Sequence, residues 1–197
     1  MKTLPPFGDR RRLRIGLLGG SFNPAHDGHV HVSREALKRL SLHQVWWLVS
    51  PQNPLKPAQG MAPLAQRMAA ARSVAGDPRI IVTDVERRLG TTRTHATLRL
   101  LAKRYPRIAF VWLMGADNLA QMPRWGRWAA IFRTARVAVF DRSPYSYRAQ
   151  AGAAARRFAG SRRGARGIWA EPLPAWTYLA IRRHAATATA LRKRARS

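Results

Sequence analysis

Short apolar segments alternate with amphipathic segments along this chain of 197 residues. Runs such as Leu13–Gly20 and Val45–Ser50 are hydrophobic and end at glycine or just before proline, which is typical of buried strands. Segments such as Gly28–Leu40 space apolar side chains among polar ones at helical intervals. The predicted strands are Leu13–Gly20, Val45–Ser50, Ile80–Val85, Ile108–Met114, Arg136–Phe140 and Gly167–Ala170. The predicted helices are Gly28–Leu40, Pro63–Val74, Thr94–Arg104, Trp125–Thr134, Ser146–Ala159 and a tail from Arg183.

Strands that alternate with helices predict an α/β fold, a doubly wound parallel sheet covered by helices on both faces. Neither a repeat nor a linker interrupts the pattern, so we expect residues 1–197 to form a single domain, with residues 1–12 as a flexible basic N-terminus. In such a sheet, ligands bind beyond the carboxyl ends of the strands. The loops after Leu18, Val49, Met114 and Phe140 are therefore the candidate sites of chemistry.

Composition excludes several classes of protein. Hydrophobic residues make up 46% of the chain, enough to bury a core, so disorder is not its main state. The absence of cysteine excludes disulfides, thiolate catalysis and cysteine-ligated metals. No run of 18 apolar residues is present, and the first residues lack the apolar stretch of a signal peptide. We therefore expect no membrane association and a cytoplasmic location.

The net charge is +27, from 36 basic and 9 acidic residues, and 31 of the basic residues are arginine. The arginines are spread over nearly every segment, whereas nucleic-acid binders usually gather them on one surface. Two interpretations stay open: a surface that binds polyanions, or a compositional bias with arginines solvated on helix faces. A nucleic-acid partner is not expected, but phosphate-bearing small molecules should be attracted in either case.

The loop after the first predicted strand carries the strongest chemical pattern, GGSFNPAHDGH over Gly19–His29. Its glycines allow a ligand to approach the backbone closely, and it opens a helix whose free N–H groups favour phosphate. His26 and His29 can both donate hydrogen bonds to phosphate oxygens. The pattern is neither a Walker loop nor GxGxxG. Metal ligation by His26, His29 and His31, or simple capping of the helix, are the alternatives.

This loop resembles the GG(T/S)F(D/N)PxHxGH signature of the nucleotidyltransferase superfamily. The resemblance implies a Rossmann-like fold and transfer of a nucleotidyl group from a nucleoside triphosphate to a phosphate acceptor. It assigns His26 and His29 to catalysis, by stabilising charge on the phosphates. It also places Gly19, Gly20, Ser21 and Phe22 with these histidines in the ATP site.

Further segments are similar to the bacterial nicotinate-nucleotide adenylyltransferase family, over Ile15 to about Arg192. In Trp46–Pro57 the resemblance assigns Asn53 and Lys56 to the acceptor. In TTRTHATL, over Thr91–Leu98, it assigns Thr92 and Thr94 to the acceptor. Here Arg93 and Ala96 depart from the tyrosine and aspartate that the family carries.

The later segments complete the resemblance. Gly115 and Asp117 follow the fourth predicted strand and are assigned to ATP, where an aspartate can accept bonds from ribose hydroxyls. Trp125 matches the aromatic residue that stacks on the pyridine ring, since an indole face suits an electron-poor ring. Arg142 matches a contact to the acceptor. In HAATATALRKR the resemblance assigns Thr187, Thr189 and Arg192 to the triphosphate of ATP.

The implied reaction joins ATP and nicotinate mononucleotide to give deamido-NAD and pyrophosphate. The acceptor phosphate is already anionic, so no protein nucleophile is needed, and catalysis comes from positioning and neutralisation of charge. Mg²⁺ would accompany ATP, and no protein metal ligands are assigned. The alternatives are another acceptor, nicotinamide mononucleotide or phosphopantetheine, or a basic nucleic-acid-binding protein on the same fold. A homo-oligomer is compatible with the sequence.

Overall fold

A single parallel sheet forms the centre of the computed structural model, which describes residues 4–51, 60–141 and 146–182. In this part of the chain the sheet has six strands in the order β3-β2-β1-β4-β5-β6, and every neighbouring pair is parallel. The strands are β1 (Arg14–Gly20), β2 (Gln44–Val49), β3 (Ile80–Thr83), β4 (Ala109–Gly115), β5 (Arg136–Asp141) and β6 (Trp176–Ala180). The predicted α/β, Rossmann-like, doubly wound sheet is confirmed.

Helices cover both faces because successive β-strand residues point to opposite sides. On β1, Ile15 and Leu17 join one core cluster, whereas Leu18 joins the other. The helices are α1 (Asp27–Arg39), α2 (Leu64–Ala75), α3 (Val85–Arg88), α4 (Thr94–Arg104), α5 (Ala116–Gln121), α6 (Trp128–Thr134), α7 (Ser146–Gln150) and α8 (Ala153–Arg157). Helices α1 and α2 pack on one face, and α3 to α6 pack on the other.

The strand order reverses between β1 and β4, which are neighbours in the sheet. From β1 the chain first builds outward to β2 and β3, and then returns to build β4, β5 and β6 on the other side. The loops that leave β1 and β4 therefore diverge at their carboxyl ends and open a crevice, which is where doubly wound sheets bind their ligands. The loop that begins at Gly19 enters this crevice.

Some predicted elements were wrong in place or extent. The sixth strand is Trp176–Ala180 rather than Gly167–Ala170, whose first three residues form a 3₁₀ turn. The run at Gly167 is as apolar as a strand, but only Trp176 and its neighbours pair with β5. The third strand ends at Thr83, and a short helix follows where the prediction continued to Val85.

The helices also differ from prediction where glycine or proline interrupts them. The helix predicted over Ser146–Ala159 is split near Gly152, where an added Cβ would lie 3.1 Å from the Arg148 carbonyl oxygen. The helix predicted from Trp125 begins at Trp128 because a 3₁₀ turn containing Pro123 precedes it. The tail predicted as a helix from Arg183 lies outside the described residues.

Residues 4–13 form neither helix nor strand but lie along the end of α4. The Tyr105 hydroxyl donates to the Pro5 carbonyl at 2.9 Å, and the Phe7 ring meets the Tyr105 ring edge-on at 5.5 Å. These contacts are static and flexibility concerns motion, so the flexibility expected for residues 1–12 stays a prediction. Within the described residues, no helix is long and apolar enough to span a membrane.

Candidate active site

His26 and His29 form a reciprocal cap at the N-terminus of α1. The Gly28 N–H donates to Nδ1 of His26 at 3.1 Å, and the His26 N–H donates to Nδ1 of His29 at 3.2 Å. His26 is the N-cap residue, with extended backbone angles, and its side chain is buried. The pair thus satisfies two backbone donors that would otherwise be orphaned at the start of a helix.

The cap also determines which ring nitrogen can donate. Because Nδ1 of each histidine accepts a backbone N–H, the proton of a neutral ring resides on Nε2. The two ring centroids are 3.9 Å apart, so their Nε2–H groups belong to one compact cluster. Next to the positive end of the α1 dipole, such a pair of donors suits a phosphate. Capping and phosphate binding are therefore compatible roles, not alternatives.

An aromatic platform holds the cap in place. Phe22 adopts a φ of 47°, and its ring stacks on Trp47 of β2 at 5.1 Å and contacts His29 at 4.7 Å. Ser33 also joins α1 to β2. Its hydroxyl donates to the His29 carbonyl and accepts from the indole N–H of Trp47, both at 2.8 Å. The segment Gly19–His29, called the histidine loop below, is therefore fixed against the sheet and does not project freely.

Gly19 is required by close packing at the end of β1. A Cβ atom built on this residue would lie 2.3 Å from Cη2 of Trp112, a buried tryptophan on the neighbouring strand β4. No larger side chain fits without moving that indole. The glycine therefore allows the Trp112 ring to lie against the backbone where the chain enters the loop.

A cavity of about 410 Å³ opens beside this loop. It is lined by residues from the carboxyl ends of β1 and β2, from the middle of β4, from α3 and α5, and from the segments that begin α4 and precede α6. The predicted site residues Gly19, Gly20, Ser21, Thr92, Thr94 and Trp125 all line it. The structure thus brings together residues that lie far apart in the sequence. A larger but more open groove of about 670 Å³ lies at the amino ends of the strands, lined in part by Arg12, Arg14 and Arg107, and contains no predicted site residue.

Other predicted residues lie near the cavity without lining it. Phe22, His26 and His29 lie in the loop that continues from Ser21 and in the first turn of α1. Gly115 ends β4 and Asp117 lies in the first turn of α5, one residue before Asn118, which lines the cavity. Asn53, Lys56, Arg142, Thr187, Thr189 and Arg192 lie outside the described residues.

The sequence did not single out two residues of this region: Glu86, which lines the cavity, and Arg67, which lies behind it. Glu86 lines the cavity and is buried, and the Thr97 hydroxyl donates to its Oε1 at 3.0 Å. Burial raises the pKa of the Glu86 carboxyl, although hydrogen bonds from Thr97 and Ser50 oppose the shift. Arg67 of α2 is also buried, and its guanidinium binds the ends of β1 and β2. Their partners are distant in sequence, so no local pattern marked either residue.

His31 has a different partner from the capping histidines. Its Nε2 lies 2.8 Å from the Arg182 carbonyl oxygen, just after β6. This contact joins the start of α1 to the last described residue of the chain. Among residues 4–51, 60–141 and 146–182, no cluster of three or more histidine and carboxylate side chains could hold a metal ion.

The fold and the loop together define a nucleotidyltransferase of the doubly wound α/β class, with a helix-capping histidine pair at the carboxyl ends of the strands. The family model described as Cytidylyltransferase-like matches residues 17–194, and the chain belongs to this family.

Its relatives identify the branch. The chain is 53% identical over 178 residues to a protein of Cereibacter sphaeroides named "Probable nicotinate-nucleotide adenylyltransferase", covering 90% of this chain and 96% of that one. A Methylorubrum extorquens protein of the same name is 51% identical over 185 residues, which cover 92% of this chain and 100% of the relative.

A solved structure shares the fold at low sequence identity. The nicotinic acid mononucleotide adenylyltransferase of Plasmodium falciparum, complexed with NaAD, superimposes with a TM-score of 0.70 at 14% identity. The match covers 92% of this chain and 83% of that one.

Proposed function

We propose that this protein is a nicotinate-nucleotide adenylyltransferase of NAD biosynthesis, which transfers AMP from ATP to nicotinate mononucleotide. The observation that carries the proposal is the reciprocal histidine cap at the start of α1, beside a cavity lined by Trp125, Thr92 and Thr94. The cap suits the reacting phosphates and the cavity suits an aromatic acceptor. The names of the relatives agree with this assignment.

In this reaction a phosphate oxygen of the mononucleotide attacks the α-phosphorus of ATP. The bond from the α-phosphorus to the bridging oxygen breaks, and pyrophosphate leaves with that electron pair. The attacking oxygen is already anionic, so the protein supplies position and charge rather than a base. The Nε2–H groups of His26 and His29, with the α1 dipole, stabilise charge that develops on the transferred phosphate.

The cavity holds the pyridine end of the acceptor. Trp125 stacks on the electron-poor ring. Helix α4 begins at Thr94, and within the described residues no side chain caps its N-terminus. Its first-turn N–H groups therefore remain suited to an anion such as the nicotinate carboxylate. Arg93 and Arg124, which line the same cavity, add positive charge.

The other assigned residues complete the proposal. Gly19, Gly20, Ser21, Phe22, Gly115 and Asp117 contact ATP, with Asp117 accepting from ribose hydroxyls. Asn53, Lys56 and Arg142 contact the acceptor, and Thr187, Thr189 and Arg192 hold the β and γ phosphates of ATP. The contact of His31 with the Arg182 carbonyl supports this last assignment, since it brings the chain just before residue 183 to the start of α1.

We propose that Mg²⁺ enters with ATP and is held chiefly by the triphosphate, as is usual for this small, strongly hydrated ion. Bound magnesium would neutralise charge on the leaving pyrophosphate. We further propose one catalytic domain over residues 1–197, a cytoplasmic location and, as a possibility for assembly, a homo-oligomer.

The test is the formation of product by the purified chain with ATP and Mg²⁺. We expect nicotinate mononucleotide to yield equal amounts of pyrophosphate and deamido-NAD, identified by chromatography and mass spectrometry. Without an acceptor, ATP should stay intact, because the reaction has no protein nucleophile. Product from phosphopantetheine but not from nicotinate mononucleotide would overturn the proposed function.

A further inference from the structure

The Arg67 guanidinium connects three segments that form the active-site edge. From its position on α2, Nη1 donates to the Ser21 carbonyl at 2.7 Å and to the Ser50 carbonyl at 2.8 Å. Nη2 donates to the Pro51 carbonyl at 3.1 Å, and Nε donates to the Ala62 carbonyl at 2.8 Å. One side chain thus ties the histidine loop, the end of β2 and the start of the α2 region to each other.

Arg67 is only 3% exposed, and in the described part of the chain it forms no ion pair with a carboxylate. Within the described residues, four backbone carbonyls accept from its guanidinium. Burying a charge without a counter-ion is costly unless every donor is satisfied, so a core that needed only packing would not favour arginine here. Arginine suits this position because its planar guanidinium presents several N–H donors in a fixed arrangement.

The connection continues from Ser50 to the acceptor cavity. The Ser50 hydroxyl hydrogen-bonds the Glu86 carboxyl, which also accepts from Thr97 of α4. The Glu86 carbonyl accepts the Thr91 N–H at 3.1 Å. A continuous network therefore runs from Ser21 in the histidine loop to the cavity wall that is assigned to the pyridine ring.

We infer that Arg67 is a positioning residue for adenylyl transfer. It sets the distance and angle between the histidine loop and the acceptor cavity. This inference rests on the proposed function. The histidine cap is local to α1, and the cavity wall near Thr94 is local to α4, so each subsite can form without Arg67. What Arg67 governs is their alignment, and a misplacement of about 1 Å can cost roughly a hundredfold in rate.

The decisive variant is Arg67→Lys, which keeps the charge but cannot make the forked contacts. We expect kcat to fall by at least about tenfold, while KM for each substrate stays within about threefold, because alignment rather than binding is lost. The matched control is Arg72→Ala, which removes an exposed arginine from the same helix and should leave both constants unchanged. Rates are expressed per folded molecule, with folding checked by near-ultraviolet circular dichroism.

A second variant tests the guanidinium itself. Arg67→Ala leaves a space of the right shape, and guanidinium at sub-denaturing concentration should restore part of its kcat, without effect on the Arg72→Ala control. If Arg67→Ala does not fold, Arg67→Lys decides alone. A folded Arg67→Lys enzyme with wild-type kcat would overturn the inference and leave Arg67 a structural residue. If the wild-type chain itself makes no deamido-NAD, it is the proposed function that fails.

Discussion

Replacing His29 by alanine separates the two roles that its imidazole plays. The variant loses Nδ1, which accepts the His26 N–H at 3.2 Å, and Nε2, the nitrogen assigned to the reacting phosphates. It also loses the ring that lies 3.9 Å from His26 and 4.7 Å from Phe22. Stability and turnover should both fall, but for different reasons.

The two losses have different sizes. Removing a helix cap costs about 0.5–2 kcal/mol of stability, which a folded domain can tolerate. Removing one preorganised donor to developing charge costs about 10²-fold or more in kcat, roughly 2.7 kcal/mol at about 1.4 kcal/mol per factor of ten. We therefore expect His29→Ala to be folded at 25 °C and at least about a hundredfold slower.

His29→Asn distinguishes the roles. The asparagine carbonyl can accept the His26 N–H near the position of Nδ1, but the side chain is too short to reach the position of Nε2. Its thermal midpoint should recover toward that of wild type while its turnover, measured as pyrophosphate release, stays low. The control is His43→Ala, since Nδ1 of His43 accepts the Arg14 N–H at 2.9 Å at the opposite edge of the sheet. Restored turnover in His29→Asn would refute the assignment of Nε2 to phosphate.

Two further predictions concern the acceptor cavity. Trp125→Ala should raise KM for the mononucleotide by about tenfold and leave KM for ATP nearly unchanged, because only the ring contact is lost. The control is Trp169→Ala, which replaces a partly buried tryptophan at the amino ends of the strands. An equal rise in KM for ATP in Trp125→Ala would contradict the assignment. Burial raises the pKa of Glu86 in the folded state, so the contribution of this carboxyl to stability should be lost as pH rises from the ordinary pKa of 4.5 through the raised pKa. In urea unfolding, the stability of the wild type relative to Glu86→Gln should therefore fall across this pH range, and a pH-independent difference would contradict the assignment.

The sequence predicted the part of the site that is contiguous along the chain. The loop from Gly19 to His29 carries its glycines, its capping residues and the first turn of its helix within one short segment. Thr92, Thr94 and Trp125 were predicted by resemblance, and the parallel sheet explains why they meet at the edge that holds Gly19. Alternation of strands and helices was enough for the fold class because it constrains the sheet to be parallel.

Long-range contacts could not be predicted in the same way. Arg67 shares its helix with one other arginine, Arg72, and only the fold brings the Arg67 guanidinium to the carbonyls of Ser21 and Ser50. Glu86 is similar, since its partner Thr97 lies on another helix. The misplaced sixth strand has a related cause: two short apolar runs compete, and only pairing with β5 selects Trp176–Ala180.

The central claim is that the cavity beside the histidine loop selects nicotinate mononucleotide. The acid pyridine carries a carboxylate where the amide pyridine carries a carboxamide. With the amide, N–H donors near Thr94 would face the NH₂ group of the ligand, and each buried donor left without an acceptor costs about 1–3 kcal/mol of binding free energy. The most direct measurement is kcat/KM for nicotinate and nicotinamide mononucleotides with ATP and Mg²⁺ in one assay. We expect a preference for nicotinate mononucleotide of at least about tenfold, or about 1.4 kcal/mol. Equal use of the two pyridines would contradict it.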